Sequence, residues 1–191
     1  MQLVERVVLA LVRREHGAGW LERPERERQE RTDLLIAGLR LSEDFVVADI
    51  GAGTGYFTFP VAQRVSRGKV FSVDIQPEML ARIARRQALE NVANVVTIRG
   101  EEDDPKLPDN EIDLAFIVDA YHEFSFPREM GERLKQSLKP GGQLVLVEYR
   151  AEDPRVPIKR LHKMSEVQVK REMAAIGLGW VRTESYLPQQ H

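Results

Sequence analysis

The most constraining stretch of the chain is Val46-Val47-Ala48-Asp49-Ile50-Gly51-Ala52-Gly53-Thr54-Gly55-Tyr56. A short apolar run bounded by glycine reads as a buried strand. It passes into three glycines at alternate positions, and a helical pattern follows at once. Glycine permits a tight turn and lets a ligand approach the backbone with no Cβ in the way. The helix start beyond it offers free backbone N–H groups and the positive end of the helix dipole. Strand, glycine loop and helix in that order place a ligand at the carboxyl edge of an open α/β sheet.

The remainder of the chain continues the pattern. Strands are predicted over residues 45–50, 69–74, 95–99, 113–118, 144–149 and 180–187. Helices are predicted over residues 3–14, 25–40, 56–65, 77–89, 127–138 and 165–176. Pro77 suits a first helical turn, and Ser165 is a candidate N-cap. Short apolar strands alternating with helices imply a doubly wound, mainly parallel sheet covered on both faces. Residues 25–31 alternate glutamate with arginine, and Glu27 and Arg31 stand at i,i+4, which predicts a solvated helical face. A chain of 191 residues builds one core. One strand follows the last helix, so the sheet edge there needs a cover. That cover is either another segment or a second copy, which makes the edge, or the N-terminal helix, a candidate homodimer contact.

Composition removes several classes of function. There are no cysteines, so disulfides, thiolate nucleophiles and cysteine-ligated metals are excluded. That suits a cytoplasmic protein. No apolar run approaches the length of a membrane span, and the apolar start carries Glu5 and Arg6 with no small-residue cleavage site, so no signal peptide is expected. The net charge is −2. A duplex nucleic-acid binder has a basic footprint, so nucleic acid is not the expected partner.

Two details of the loop narrow its ligand. The dinucleotide fingerprint is G-x-G-x-x-G, whereas the spacing here is G-x-G-x-G, with Tyr56 at the third fingerprint position. Asp49 stands just before the loop, where a carboxylate suits a cationic amino group and repels a pyrophosphate. With this loop, Asp74 after the second strand, Gly100-Glu101-Glu102 after the third and Pro140-Gly141-Gly142 before the fifth, the chain resembles the class I S-adenosylmethionine-dependent methyltransferases over residues 45–150. The resemblance implies a Rossmann-like methyltransferase fold whose usual seventh strand is missing or altered, with two N-terminal helices. It also implies methyl transfer from S-adenosylmethionine, with S-adenosylhomocysteine as product. Residues 1–44 form an N-terminal helical segment on the cofactor and acceptor cleft in this reading, and residues 45–191 the cofactor-binding part of one structural domain. Asp49, Gly51, Gly53 and Gly55 cradle the methionine end by resemblance. Asp74 takes the ribose hydroxyls, as a carboxylate can accept from both. Ile75 packs on the adenine, Glu101 and Glu102 meet its edge, and Asp119 lies near the amino group.

Tyr121-His122-Glu123 follows the fourth strand and so sits at the active edge of the sheet. Histidine is a natural general base near neutral pH, which makes His122, or Tyr121, the candidate to assist deprotonation of the acceptor. Methyl transfer to an already nucleophilic atom needs only positioning. His122, His162, Glu148 and Asp119 have no metal-ligand spacing, so no metal is expected. The expected acceptor is a small molecule. The alternatives are an RNA or protein acceptor, a NAD-dependent oxidoreductase on a related fold, and a non-catalytic S-adenosylmethionine-binding protein.

Overall fold

The computed structural model describes residue 23 and residues 26–191. The helix predicted over residues 3–14 lies outside them. Five strands form one sheet: β1 (Val46–Ile50), β2 (Lys69–Asp74), β3 (Val95–Arg99), β4 (Ile112–Val118) and β5 (Leu138–Val147). The spatial order is β3-β2-β1-β4-β5, and every pairing is parallel. The chain winds outward from β1 through β2 to β3, then returns to the other side of β1 for β4. β1 and β4 therefore flank the point at which the winding reverses, where a crevice opens at the carboxyl ends of the strands.

Alternate side chains of each strand enter opposite faces, as the pleat requires. Val47, Val70, Leu114 and Phe116 pack on one face with Phe59, Val61 and Ile83. These last three come from α3 (Thr58–Arg64) and α4 (Pro77–Glu90). Ile50, Phe71, Ala115 and Ile117 pack on the other with Met130 and Leu134 of α5 (Pro127–Ser137). A parallel sheet so covered needs apolar side chains on both faces, which is why β1 and β4 read as continuous apolar runs. β5 starts earlier than residue 144 because a register shift opposite Ile112 and Leu114 admits the Pro140-Gly141-Gly142 segment into the strand.

The predicted helix over residues 25–40 is two helices, α1 (Arg26–Glu30) and α2 (Thr32–Gly38). Arg31 separates them in the left-handed conformation, φ 49°, which is uncommon for a residue with a Cβ. Its guanidinium grips Asp33 through two bonds of 2.9 and 2.8 Å, and not Glu27. The break lets α1 and α2 bury different residues: Arg26 and Glu30 on α1, Leu35 and Ile36 on α2. The charged run is therefore solvated in part: Glu27, Arg28 and Arg31 are exposed as expected, while Arg26 and Glu30 turn inward.

Beyond β5, β6 (Tyr149–Arg150) pairs in parallel with β7 (Lys163–Met164). Ser165 caps α6 (Glu166–Ala175) by accepting from the Gln168 amide. The strand predicted over residues 180–187 does not form. Trp180 and Val181 are 61% and 68% exposed, so these strand-forming residues have no face to pack on. Lys170 lies 3.9 Å from the Trp180 ring centroid instead. Pairing resumes at residues 189–191. His191 exchanges two backbone bonds with Glu148, Arg150 donates to the Gln189 carbonyl, and Tyr149 and Gln190 are antiparallel partners. A segment of the same chain thus covers the strand edge beyond β5. No helix among the described residues is long and apolar enough to cross a membrane.

Candidate active site

The glycine loop leaves β1 and is tied to the neighbouring strand. Gly51 and Ala52 both donate their amides to the Val73 carbonyl, at 2.9 and 3.0 Å. Gly51, Gly53 and Gly55 take φ of 73°, 55° and 83°, a region that glycine enters without steric cost. The Gly53 amide donates to Asp74 Oδ2 and the Gln76 amide to Asp74 Oδ1, both at 2.8 Å. Asp74 therefore holds the loop with one oxygen and the start of α4 with the other.

Asp49 lies beneath the loop, 3% exposed. Its Oδ2 accepts from Thr58 Oγ1 at 2.7 Å, and that oxygen accepts from Ser72 Oγ at 3.0 Å. Burial, reinforced by the charge of Asp74 and opposed by the Thr58 bond, pushes the Asp49 carboxyl up to about 7. Burial also raises Asp74, against the stabilising bonds from the Gln76 and Gly53 amides.

Above the loop, Arg26, Asp49, residues 51–54, Tyr56, Phe57 and Val118 line a cleft. The Arg26 guanidinium lies 4.2 Å from the Tyr56 ring centroid, a cation–π distance. It also donates to Glu30 Oε2 at 2.8 Å, while Arg23 donates to Glu30 Oε1 at 2.7 Å. Neither Arg26 nor Glu30 was predicted at the site. Spacing alone does not separate a buried ion pair from a solvated one.

Asp119 follows β4 with a left-handed backbone, φ 50°. Its Oδ2 accepts from Gln190 Nε2 at 3.0 Å. Its Oδ1 is buried and makes no hydrogen bond among the described residues, and the same holds for Thr54 Oγ1. Burial first, then the charges of Glu30 and Glu148, hold the Asp119 carboxyl well above the usual range.

The segment after Asp119 abuts the loop: a Cβ placed on Gly51 would lie 3.0 Å from Ala120 Cβ. A short 3-10 turn, Tyr121–Glu123, follows. Glu148, 1% exposed, accepts from the Tyr121 amide at 2.8 Å through Oε1. Its Oε2 stands 2.7 Å from His122 Nδ1. The opposite ring nitrogen, His122 Nε2, faces His162 Nδ1 at 3.0 Å. Burial works to lower the His122 pKa, but the bond to Glu148 and its charge outweigh it, so the net shift is upward. The Tyr121 hydroxyl donates to Glu172 Oε2 at 2.8 Å. Burial together with that carboxylate pushes the phenol up, so it keeps its proton.

Asp49, Gly51 and Gly53 thus line one cleft; Asp74 is outside that lining and tied to it through the Gly53 amide, Gly55 ends the loop, and Asp119 follows the lining residue Val118. Tyr121 and His122 lie at the same edge. Ile75 is half exposed and outside the cleft lining. Glu101 and Glu102 are exposed, and Glu101 pairs with Lys106 at 3.1 Å. The Gly100 amide donates to the Asp74 carbonyl, so these two acids stand on the rim beside Asp74.

A family model described as a methyltransferase domain matches residues 47–142, half of the chain. A solved structure described as a S-adenosylmethionine-dependent methyltransferase from Aquifex aeolicus superposes with a TM-score of 0.78 at 26% identity, over 85% of this chain and 87% of that one. A demethylmenaquinone methyltransferase of Thermus thermophilus is 31% identical over 104 residues, 54% of this chain and 46% of its own length. An uncharacterized methyltransferase-like protein of Schizosaccharomyces pombe is 29% identical over 134 residues, 70% of this chain and 49% of its own. The chain spans about half the length of these curated relatives.

Proposed function

Because the chain belongs to the methyltransferase-domain family of class I S-adenosylmethionine-dependent enzymes, we propose that it transfers a methyl group from S-adenosylmethionine to a small-molecule acceptor. The observation that carries this reading is the charge of the cleft. Three carboxyl groups, Asp49, Asp74 and Asp119, surround the glycine loop, and Glu30 and Glu148 lie behind them. Burial raises the pKa of all three aspartates, so each gains from an added cation even with Arg26 nearby, which favours an ammonium over a pyrophosphate.

The donor set fits the methionine end of S-adenosylmethionine, which carries an ammonium group. A buried oxygen without a donor costs about 1–3 kcal/mol, and an ammonium satisfies Asp119 Oδ1 while balancing Asp49. Asp74 already accepts one bond on each oxygen. Each oxygen has a further lone pair, so the carboxylate still accepts two ribose hydroxyls. By the family resemblance, Ile75 stacks on the adenine and Glu101 and Glu102 meet its edge; their exposure beside Asp74 leaves them free to do so. When bound, S-adenosylmethionine supplies an electrophilic methyl group on a sulfonium.

The task of the chain is then positioning and exclusion of water, which together account for much of the acceleration of such a displacement. Arg26 of α1 lines the cleft with Tyr56 and Phe57. Tyr121 donates to Glu172, while the His122 ring is held between Glu148 and His162. The small acceptor is supported by the net charge of −2, which offers no basic footprint for RNA. It is also supported by the Thermus relative, which is named for methyl transfer to demethylmenaquinone. Transfer of labelled methyl from S-adenosylmethionine to a panel of quinones, phenols and amines, with tRNA and a protein mixture alongside, tests the reading. Label in a small acceptor supports it. Label in tRNA or protein alone contradicts the acceptor, and no label in any arm contradicts the activity.

A further inference from the structure

We propose that His122, Glu123 and His162 form a site for a divalent transition-metal ion of the Zn2+ type, with Glu148 orienting His122 from behind. The three side chains offer two imidazole nitrogens and a carboxylate oxygen, all within 4.8 Å of one another. His122 Nε2 and His162 Nδ1 are 3.0 Å apart, and Glu123 Oε1 lies 3.9 and 3.8 Å from them. Two ligands at Zn–N distances of about 2.0–2.1 Å in a tetrahedron stand roughly 3.3–3.4 Å apart. The observed separations bracket that value. Glu123 and His162 are 67% and 47% exposed, so their side chains are free to close the remaining few tenths of an ångström.

The ring of His122 is set for this role. A carboxylate accepts and does not donate, so the 2.7 Å contact to Glu148 puts the His122 proton on Nδ1. Nε2 then presents its lone pair toward His162 Nδ1, which is the tautomer a metal takes. A buried carboxylate behind a ligating histidine is the usual second support of such sites and raises the basicity of the ligand. Glu148 is itself pinned by the Tyr121 amide and by its two backbone bonds to His191.

The two turns that carry the ligands are also fixed in relation to one another. His122 and Glu123 stand on the turn after β4. His162 ends a second 3-10 turn, Arg160–His162, which runs directly into β7. Pairing of Tyr149 with Lys163 and of Arg150 with Met164 seats that turn beside the first. His162 is 40 residues from His122 in sequence, so no ligand spacing announces the site. Two nitrogens and one oxygen with a further position open to solvent suit Zn2+ in a chain that has no cysteine. The open position takes water, or an anionic oxygen or sulfur of a small ligand.

This inference does not depend on the proposed methyl transfer. Its test uses the full chain after treatment with a chelator, titrated with Zn2+ by calorimetry and with Co2+ by visible absorption. His162→Ala and Glu123→Gln change exposed side chains, and Glu111→Gln, exposed just before β4, is the control away from the cluster. S-adenosylmethionine binding and circular dichroism report whether each variant is folded. The expected result is a single Zn2+ per wild-type chain and a tetrahedral Co2+ spectrum. Affinity falls about tenfold or more in His162→Ala, and is unchanged in Glu111→Gln. Equal affinity in wild type and His162→Ala overturns the site. So does a wild-type chain that takes up neither ion, which leaves the two histidines sharing only a proton.

Discussion

Asp49 makes the fold sensitive to pH in a direction opposite to that of most carboxylates. Its carboxyl is pushed from an ordinary 3.8 up to about 7, by burial first and by Asp74 second. The folded value lies above the unfolded one. The contribution of Asp49 to stability is therefore fully present below about pH 4, and it is lost as pH rises to and past about 7. A shift of about three units corresponds to about 4 kcal/mol between those limits. Roughly 2 kcal/mol of that falls between about pH 5.5 and pH 8.5. Asp49→Asn removes the ionisation and keeps an oxygen that accepts from Thr58 Oγ1. Urea unfolding of wild type and Asp49→Asn at both pH values isolates the effect of Asp49 together with its coupling to Asp74. The variant gains about 2 kcal/mol on wild type as pH rises. A difference that stays flat with pH, or changes sign, refutes the assignment of Asp49 as a buried carboxyl held protonated by its surroundings.

Three further outcomes follow from the site. Asp74→Ala removes the acceptor of the Gly53 and Gln76 amides; S-adenosylmethionine affinity by calorimetry falls by about 1.5–3 kcal/mol, or ten- to a hundredfold. Gly55→Ala puts a Cβ 2.9 Å from the Phe59 ring and 3.0 Å from Ile83 at φ 83°, and so lowers urea stability by about 2–4 kcal/mol. Tyr121→Phe loses one hydrogen bond to Glu172 and costs about 1 kcal/mol of stability; methyl transfer persists, and a tenfold or greater fall in kcat at unchanged KM returns Tyr121 to a chemical role.

The elements nearest the cofactor edge were the most legible in the sequence. β2 and β3 occupy the predicted residues: β2 is an apolar run buried on both faces, and β3 is a partly exposed edge strand of β-branched residues, each bounded by turn residues. Asp49, Asp74 and the glycines converge for the same reason, since each ends a strand at one edge. Other features depend on tertiary packing. Trp180, Val181 and Thr183 have the composition of a strand, but nothing in the local pattern reveals that no sheet face awaits them. Arg26 and Glu30 look like a solvated pair until Tyr56 and Tyr149 are placed around them. The convergence of His122 and His162 rests on β6 pairing with β7, a contact of two residues on each side. A pairing that short leaves no periodic trace in the sequence.

The central claim is that the acidic glycine-loop cleft is built for S-adenosylmethionine. Calorimetry of the full chain with S-adenosylmethionine, S-adenosylhomocysteine and NAD tests it most directly. The account predicts saturable binding of the first two at a single site, weakened together about ten- to a hundredfold in Asp74→Ala, and no binding of NAD. Binding of NAD with no response to S-adenosylmethionine contradicts it.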